Sequence, residues 1–206
     1  MSDYYLVIIG GGSAGAWAAP FAARLGARVA LVEKDRIGGD CTHFGCVPSK
    51  ALLKAAQVAR HMRQADEFGF DPVQPAVDLG RVMAGVRGAI ERVYASETPE
   101  RLRSAGVDVF MDAARFEDPH TLLIGDHTRI RARHVLLCTG ARAADPSIPG
   151  LAETPHWTYE SVWQQKDLPR RLLVLGSGPV GIELAQAFAR LGSEVTVFER
   201  GDRPLK

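Results

Sequence analysis

One stretch of this sequence occurs twice. Tyr5–Lys34 and Arg171–Arg200 superpose without a gap at a shift of 166 residues. The shift places Gly10 on Gly176, Gly12 on Gly178, Gly15 on Gly181 and Glu33 on Glu199. It also aligns Ala23-Arg24-Leu25-Gly26 with Ala189-Arg190-Leu191-Gly192. Each copy reads as an apolar strand, a glycine turn, an Ala-rich helix and a second strand ending in glutamate. Strands alternating with helices in this way point to an α/β fold with parallel sheets.

Each glycine turn is a G-x-G-x-x-G, and each has the context that gives the motif meaning: a strand before it, a helix after it and an acid closing the next strand. The first glycine makes the tight turn, the second lets a pyrophosphate approach the backbone, and the third lets helix and strand pack closely. The helix N-terminus then presents N–H groups and a positive dipole end to phosphate. A Gly-rich βαβ turn with no ligand is the alternative for either copy. Two dinucleotide sites in one chain suggest hydride transfer between two cofactors.

Length and composition exclude other classes. The 206 residues allow one domain or one and a half. With 46% apolar and 24% charged residues the chain is globular rather than disordered. A net charge of +1 leaves no basic footprint for sequence-blind nucleic-acid binding, so no nucleic-acid partner is expected. Arg129, Arg131 and Arg133 alternate at strand period and read as a solvated face. Leu6–Ala23 is apolar but interrupted by its glycines and Pro20, a poor membrane span. Met1-Ser2-Asp3 lacks a signal peptide's basic start, and Cys41, Cys46 and Cys138 are no secretory disulfide framework. The expectation is a cytoplasmic protein with no membrane partner.

Between the copies the pattern predicts helices over Ala51–Gln64, with Pro48 just before it, over Leu79–Ala95 and over Pro99–Ser104. Short strands at Val107–Met111, Arg115–Phe116, Thr121–Ile124 and Thr128–Arg131 read as an antiparallel meander. His134–Cys138 reads as a separate apolar strand ending at Thr139-Gly140. Asp145-Pro146-Ser147-Ile148-Pro149-Gly150 carries the breakers of a domain boundary, dividing the chain into 1–149 and 150–206.

Cys41 and Cys46 lie in Gly38-Gly39-Asp40-Cys41-Thr42-His43-Phe44-Gly45-Cys46-Val47-Pro48-Ser49-Lys50. Zinc sites favour closer spacing and a second ligand pair, which this chain lacks, so no metal site is expected. Two unrelated buried cysteines remain an alternative. A redox disulfide fits better, because a helix starting near Pro48 would favour a thiolate at Cys46. Cys138 reads as a core cysteine, and His43 as a loop residue that could tune the pair.

These motifs, in this order, resemble the N-terminal part of the class I pyridine nucleotide–disulfide oxidoreductases, in particular the mercuric reductase-like and dihydrolipoamide dehydrogenase-like group. The resemblance covers essentially the whole chain. It implies a Rossmann-type FAD-binding domain with a three-layer ββα insertion (the β-meander), followed by the start of a second Rossmann-type NAD(P)-binding domain. FAD would lie on the first fingerprint, with Gly10, Gly12, Gly15 and Glu33 holding pyrophosphate and adenosine ribose. Ser13, Ala14, Lys34, Gly39, Asp40 and Lys50 would join them as cofactor-binding positions. Ala114 matches a backbone contact to adenine, and Thr139-Gly140 a loop crossing the FAD. Gly176, Gly178, Val180, Gly181, Glu199 and Arg200 would hold NAD(P)H.

The resemblance also assigns catalytic roles. Cys46 matches the flavin-proximal sulfur, whose thiolate makes a charge-transfer contact with oxidised flavin. Cys41 matches the interchange thiol that meets the substrate. Lys50 matches a lysine near the flavin, and Glu183 the glutamate that pairs with it. A buried Lys50 would need such a partner. Trp157, Tyr159 and Trp163 are expected to pack at the second domain's entrance.

The implied activity passes hydride from NAD(P)H through FAD to a Cys41–Cys46 disulfide and on to an oxidised small-molecule, disulfide or metal-ion acceptor. Asp40 stands where the best-known members carry threonine, which weakens a lipoamide or glutathione assignment. No CxxC module precedes the first fingerprint, which leaves mercury unsupported as a substrate. Glu199 would repel a 2′-phosphate and favours NADH, while Arg200 and Lys206 could serve NADPH. Only seven residues follow Glu199. The chain therefore reads as truncated, inactive alone, and part of a homodimer at full length. The alternatives are a non-catalytic FAD- or nucleotide-binding fragment and a member reducing a quinone-type acceptor.

Overall fold

Apolar runs too continuous for a half-exposed strand form the centre of the larger sheet. Tyr4–Ile9 (β1) and Val29–Glu33 (β2) pair in parallel, with Ile8 opposite Leu31. Val7, Ile8, Ala30, Leu31 and Val32 are fully buried, as expected of parallel strands covered on both faces. The helix between them, Ser13–Arg24 (α1), buries Gly15 and Ala19. Its small residues let it approach β1 closely.

The computed structural model describes residues 2–144 and 146–205. Asp145, in the inferred domain boundary, and Lys206, read from the sequence as able to serve NADPH, lie outside the described residues. The chain forms two compact units. The first takes the chain up to His43 and resumes over Ile90–Arg142; the second holds Phe44–Ala89 and the chain from Ala143 onward.

The first unit also contains the short helix Gly39–His43 (α2). Its single sheet of six strands has the order β3-β2-β1-β6-β5-β4, where β3 is Val107–Met111, β4 Ala114–Asp118, β5 Thr121–Ile124 and β6 Thr128–Leu137. Two expectations are corrected here. Val107–Met111 does not belong to the meander but pairs in parallel with β2. Thr128–Arg131 and His134–Cys138 are not separate strands: β6 runs unbroken over Thr128–Leu137. No glycine or proline interrupts Arg131-Ala132-Arg133-His134, so nothing turns the chain there. One half of β6 closes the antiparallel meander against β5, and the other half lies parallel to β1, with Leu6 opposite His134.

In the second unit Cys46–Arg63 forms helix α3, and Leu79–Tyr94 forms α4, within which the unit boundary falls. Pro99–Ser104 (α5) follows in the first unit, capped by Thr98, whose Oγ1 accepts from the Arg101 N–H at 3.4 Å. Helix α3 starts five residues before the expected Ala51 and includes Pro48. A proline in the first helical turn gives up an N–H that would have no intrahelical partner. The second repeat supplies β7 (Arg171–Leu175), α6 (Pro179–Leu191) and β8 (Glu194–Phe198), with β7 parallel to β8. Helix α6 covers one face of this pair, burying Phe188. On the other face Leu173, Leu175 and Phe198 are exposed. The sequence assigns α3 to 1–149; in the structure α3 packs on α6, where the Arg63 guanidinium donates to the Arg190 carbonyl.

Candidate nucleotide and redox sites

The first glycine turn closes as its spacing requires. Gly10 has a φ of +106°, a conformation that costs a residue with a Cβ energy. A Cβ on Gly15 would overlap the Gly10 carbonyl oxygen and lie 3.2 Å from Ile8 Cγ2. Gly12 differs: a Cβ there would meet only Gly39 Cα, at an ordinary 3.7 Å. The second glycine therefore borders open space, as a pyrophosphate cradle requires. Gly12 ends the turn as N-cap of α1, which has no side-chain cap and no acid in its first turn. Ser13 and Ala14 are exposed at that N-terminus.

Glu33 is tied back to this turn. Its Oε2 accepts from the Gly11 N–H at 2.6 Å and its Oε1 from the Asp35 N–H at 2.8 Å. Gly39 and the Cys138-Thr139 backbone border the same turn, at Gly12 and Gly10 respectively. Lys34, Asp40, Thr139 and Gly140 are exposed. The residues of the first unit therefore fit a dinucleotide's phosphates and ribose. Ala114 opens β4 opposite Ile124, with its side chain against the core formed by Val7 and Leu122. Cys138 is half-buried against the core beside Ile8 and Leu31.

The second turn repeats the arrangement. Glu199 Oε2 accepts from the Ser177 N–H at 2.9 Å and from Ser177 Oγ at 2.5 Å, and its Oε1 accepts from the Gly201 N–H at 2.7 Å. Among the described residues nothing stands within 4 Å of a Cβ placed on Gly176 or Gly178, and none caps α6 with its side chain. Val180 and Arg200 are exposed. The Ser177 hydroxyl, helped by the Gly201 and Ser177 N–H groups, lowers the Glu199 pKa from 4.5 to about 2. A carboxylate depressed on folding stabilises the fold above its unfolded value, and that contribution is lost as pH falls through about 2. Ser177→Ala is expected to raise the Glu199 midpoint toward 4.5, read by carboxyl-carbon NMR titration; an unmoved midpoint would contradict the hydroxyl's role.

The second unit encloses a cavity of about 260 Å³, walled by Phe44, Cys46, Lys50, Tyr159, Trp163 and Glu183 among others. Cys46 is the first residue of α3, where the helix dipole favours negative charge. Lys50 follows four residues on, and so on the same face. Its Nζ donates to both Glu183 carboxylate oxygens, at 2.7 and 2.5 Å. The expected partnership is present, but Lys50 is not buried: its side chain is 60% exposed and that of Glu183 39%. Glu183→Gln is accordingly expected to cost less than ~1 kcal/mol, a melting shift of at most about 4 °C. Trp163 is buried, with Nε1 donating to the Phe44 carbonyl at 3.0 Å, and Trp157 packs its ring 6.2 Å from that of Phe188.

Cys41 lies in the first unit, half-buried on α2. Sequence reasoning did not single out two side chains that meet the residues after it, Thr42 and His43. Glu97 accepts from Thr42 Oγ1 at 2.6 Å, and the Tyr94 ring lies 5.3 Å from that of His43. In the sequence Glu97 is one more acid ahead of a helix, and no spacing rule connects it to residue 42. Among the described residues no group of three or more His, Cys, Asp or Glu could hold a metal ion, and no helix is long and apolar enough to cross a membrane.

The model of a family described as pyridine nucleotide-disulphide oxidoreductase matches residues 4–206. A mercuric reductase of Acidithiobacillus ferrooxidans is 36% identical over 97% of this chain and 38% of its own length. A dihydrolipoyl dehydrogenase of Zymomonas mobilis is 34% identical over 100% of this chain and 45% of its own. A Cu(II) complex of the HOCl-induced flavoprotein disulfide reductase RclA from Escherichia coli superposes with a TM-score of 0.80 at 31% identity, over 96% of this chain and 42% of that one. The chain thus spans less than half the length of these relatives.

Proposed function

The chain belongs to the pyridine nucleotide–disulphide oxidoreductase family, and on that premise we propose that it carries the flavin and redox-thiol portion of an NAD(P)H-dependent reductase. Residues 1–149 hold FAD and residues 150–206 begin the NAD(P)H site. The protein works in the cytoplasm as a homodimer. FAD, when bound, supplies two-electron hydride acceptance and release. The chain's own residues do the rest. The uncapped N-terminus of α1 and the open face of Gly12 take the pyrophosphate, and Glu33 takes the ribose hydroxyls. Cys41 and Cys46 cycle between disulfide and dithiol.

The observation that carries this reading is the placement of Cys46. It starts an 18-residue helix and shares a cavity with Lys50. A helix N-terminus and a nearby cation both favour the thiolate, the form that attacks a disulfide or binds a soft metal ion. Glu183 orients Lys50 toward that role. The acceptor class is a disulfide or a soft metal ion, in keeping with a mercuric reductase and a flavoprotein disulfide reductase among the relatives. NADH is the preferred donor. Glu199, ionised at any physiological pH and fixed by three hydrogen bonds, accepts from a ribose diol and repels a 2′-phosphate.

The test is a thiol count. The complete reductase is expected to bind FAD, and anaerobic addition of one equivalent of NADH should make two further thiols alkylatable, Cys41 and Cys46. The balance is NADH, one proton and one disulfide giving NAD⁺ and two thiols. Failure to take up FAD, or flavin bleaching with no new thiols, would overturn the proposal.

A further inference from the structure

Helix α2, which carries Cys41, has only five residues. So short a helix does not hold its shape alone, because nucleation is unfavourable. The two residues after Cys41 fix it. Thr42 and His43 are both buried, at 2% and 7% exposure. Thr42 Oγ1 donates to Glu97 Oε2 at 2.6 Å. The same carboxylate oxygen would stand 2.7 Å from a Cβ on Gly38, the residue before α2, whose φ is +98°. Glu97 therefore bonds one end of the turn and lies beside the other. His43 Nε2 lies 2.9 Å from the Ile37 carbonyl, and its ring packs at 58° to that of Tyr94.

The clamp itself is firmly held. The Glu97 N–H donates to the Tyr94 carbonyl at 2.8 Å, and the next residue, Thr98, caps α5. Tyr94 packs against the core that contains Ile37 and Leu102. One corner between α4 and α5 thus supplies both the carboxylate and the ring that meet the cysteine turn.

We propose that Glu97, acting through Thr42, is a positioning residue for Cys41 that sets the equilibrium between dithiol and disulfide. The proposal rests on the reading of Cys41 and Cys46 as a redox pair. Disulfides tolerate a narrow range of Cα separations and torsions, so a turn ordered in advance favours closure. A hydroxyl donating to a carboxylate is charge-assisted and stronger than a neutral pair. Releasing it loosens the turn and shifts the couple toward dithiol.

The experiment equilibrates the protein in glutathione buffers and measures Cys41 and Cys46 by alkylation and mass spectrometry. One protein disulfide and two glutathione thiols give one protein dithiol and one glutathione disulfide, so electrons and protons balance. Thr42→Val and Glu97→Ala are each expected to shift the equilibrium about tenfold toward dithiol, roughly 30 mV. The double variant should shift no further than the larger single, because both lose the same bond. Thr42→Ser, which keeps the hydroxyl, should stay within about twofold, and so should Glu100→Gln on exposed α5. Glu97→Gln, which keeps the shape, should move the couple in the same direction by about threefold, and decides the matter if a larger change prevents folding. A normal wild-type couple with Glu97 variants unshifted, or with additive effects in the double, overturns the positioning role and leaves the redox pair standing. A wild type that forms no Cys41–Cys46 disulfide in any buffer overturns the redox-pair reading, and the positioning role with it.

Discussion

Gly15→Ala is expected to destabilise the protein by about 3 kcal/mol, lowering its melting temperature by roughly 6–12 °C. Helix propensity argues the opposite sign. Gly15 lies inside α1, where alanine is ordinarily better than glycine by about 1 kcal/mol. Contact geometry decides. The alanine methyl would overlap the Gly10 carbonyl oxygen and crowd Ile8 Cγ2 at 3.2 Å. Neither is the far end of a flexible side chain, so helix and strand must separate. That separation would also open the turn whose N–H at Gly11 is bonded to Glu33. Gly26→Ala is the control: its φ is +86° and, among the described residues, nothing lies within 4 Å of a Cβ there. It should cost only the left-handed penalty, about 1–2 kcal/mol. Calorimetry on the three chains separates the cases. A Gly15→Ala melting point at or above wild type would mean that the helix does not pack as closely as described.

The repeat made the α/β fold legible because its signals are local. Glycine spacing, an apolar run and a terminal acid are all read within 30 residues, and the structure returns them as β1-α1-β2 and β7-α6-β8. The helices Leu79–Tyr94 and Pro99–Ser104 were legible for the same reason, through local residue pattern. Strand pairing was less so. Val107–Met111 is followed directly by meander strands, and nothing in its residues says that its partner is β2, more than 70 positions earlier. The unbroken β6 was hidden because its two halves have different patterns. Thr128–Ala132 alternates, having one face in solvent, whereas the end beside β1 is more continuously apolar.

At the site, residue types were legible where chemistry fixes the spacing. Cys46 and Lys50 sit one helical turn apart, and Lys50 meets Glu183. The premise of a buried lysine was not legible, since exposure depends on what packs around the pair. Glu97 shows the limit most clearly. Its bond to Thr42 spans 55 residues, and neither residue belongs to a motif that would announce the other. The tie between Glu33 and the first glycine turn was partly legible: the acid was expected at a ribose, not as an acceptor for the Gly11 N–H.

In the complete reductase, Cys41→Ser, Cys46→Ser and the double variant are each expected to reduce NADH-driven acceptor reduction by about the same factor, roughly 100-fold or more. Groups that act as one unit lose function together, so the second substitution should add almost nothing. Spectra should nonetheless distinguish the two thiols. Cys46 begins α3 and lines the cavity with Lys50, so its thiolate is the one favoured by the helix N-terminus. With oxidised FAD bound, Cys41→Ser should show a long-wavelength absorbance before any reductant is added, because its Cys46 thiolate has no disulfide partner and faces oxidised flavin. Cys46→Ser should lack it. FAD uptake should survive both changes, since the pyrophosphate cradle at Gly10, Gly12 and Gly15 contains neither cysteine. Equal activity losses with the long-wavelength band kept only in Cys46→Ser would reverse the assignment, making Cys41 the flavin-side thiol. Full activity in either single variant would remove the disulfide from the reaction altogether.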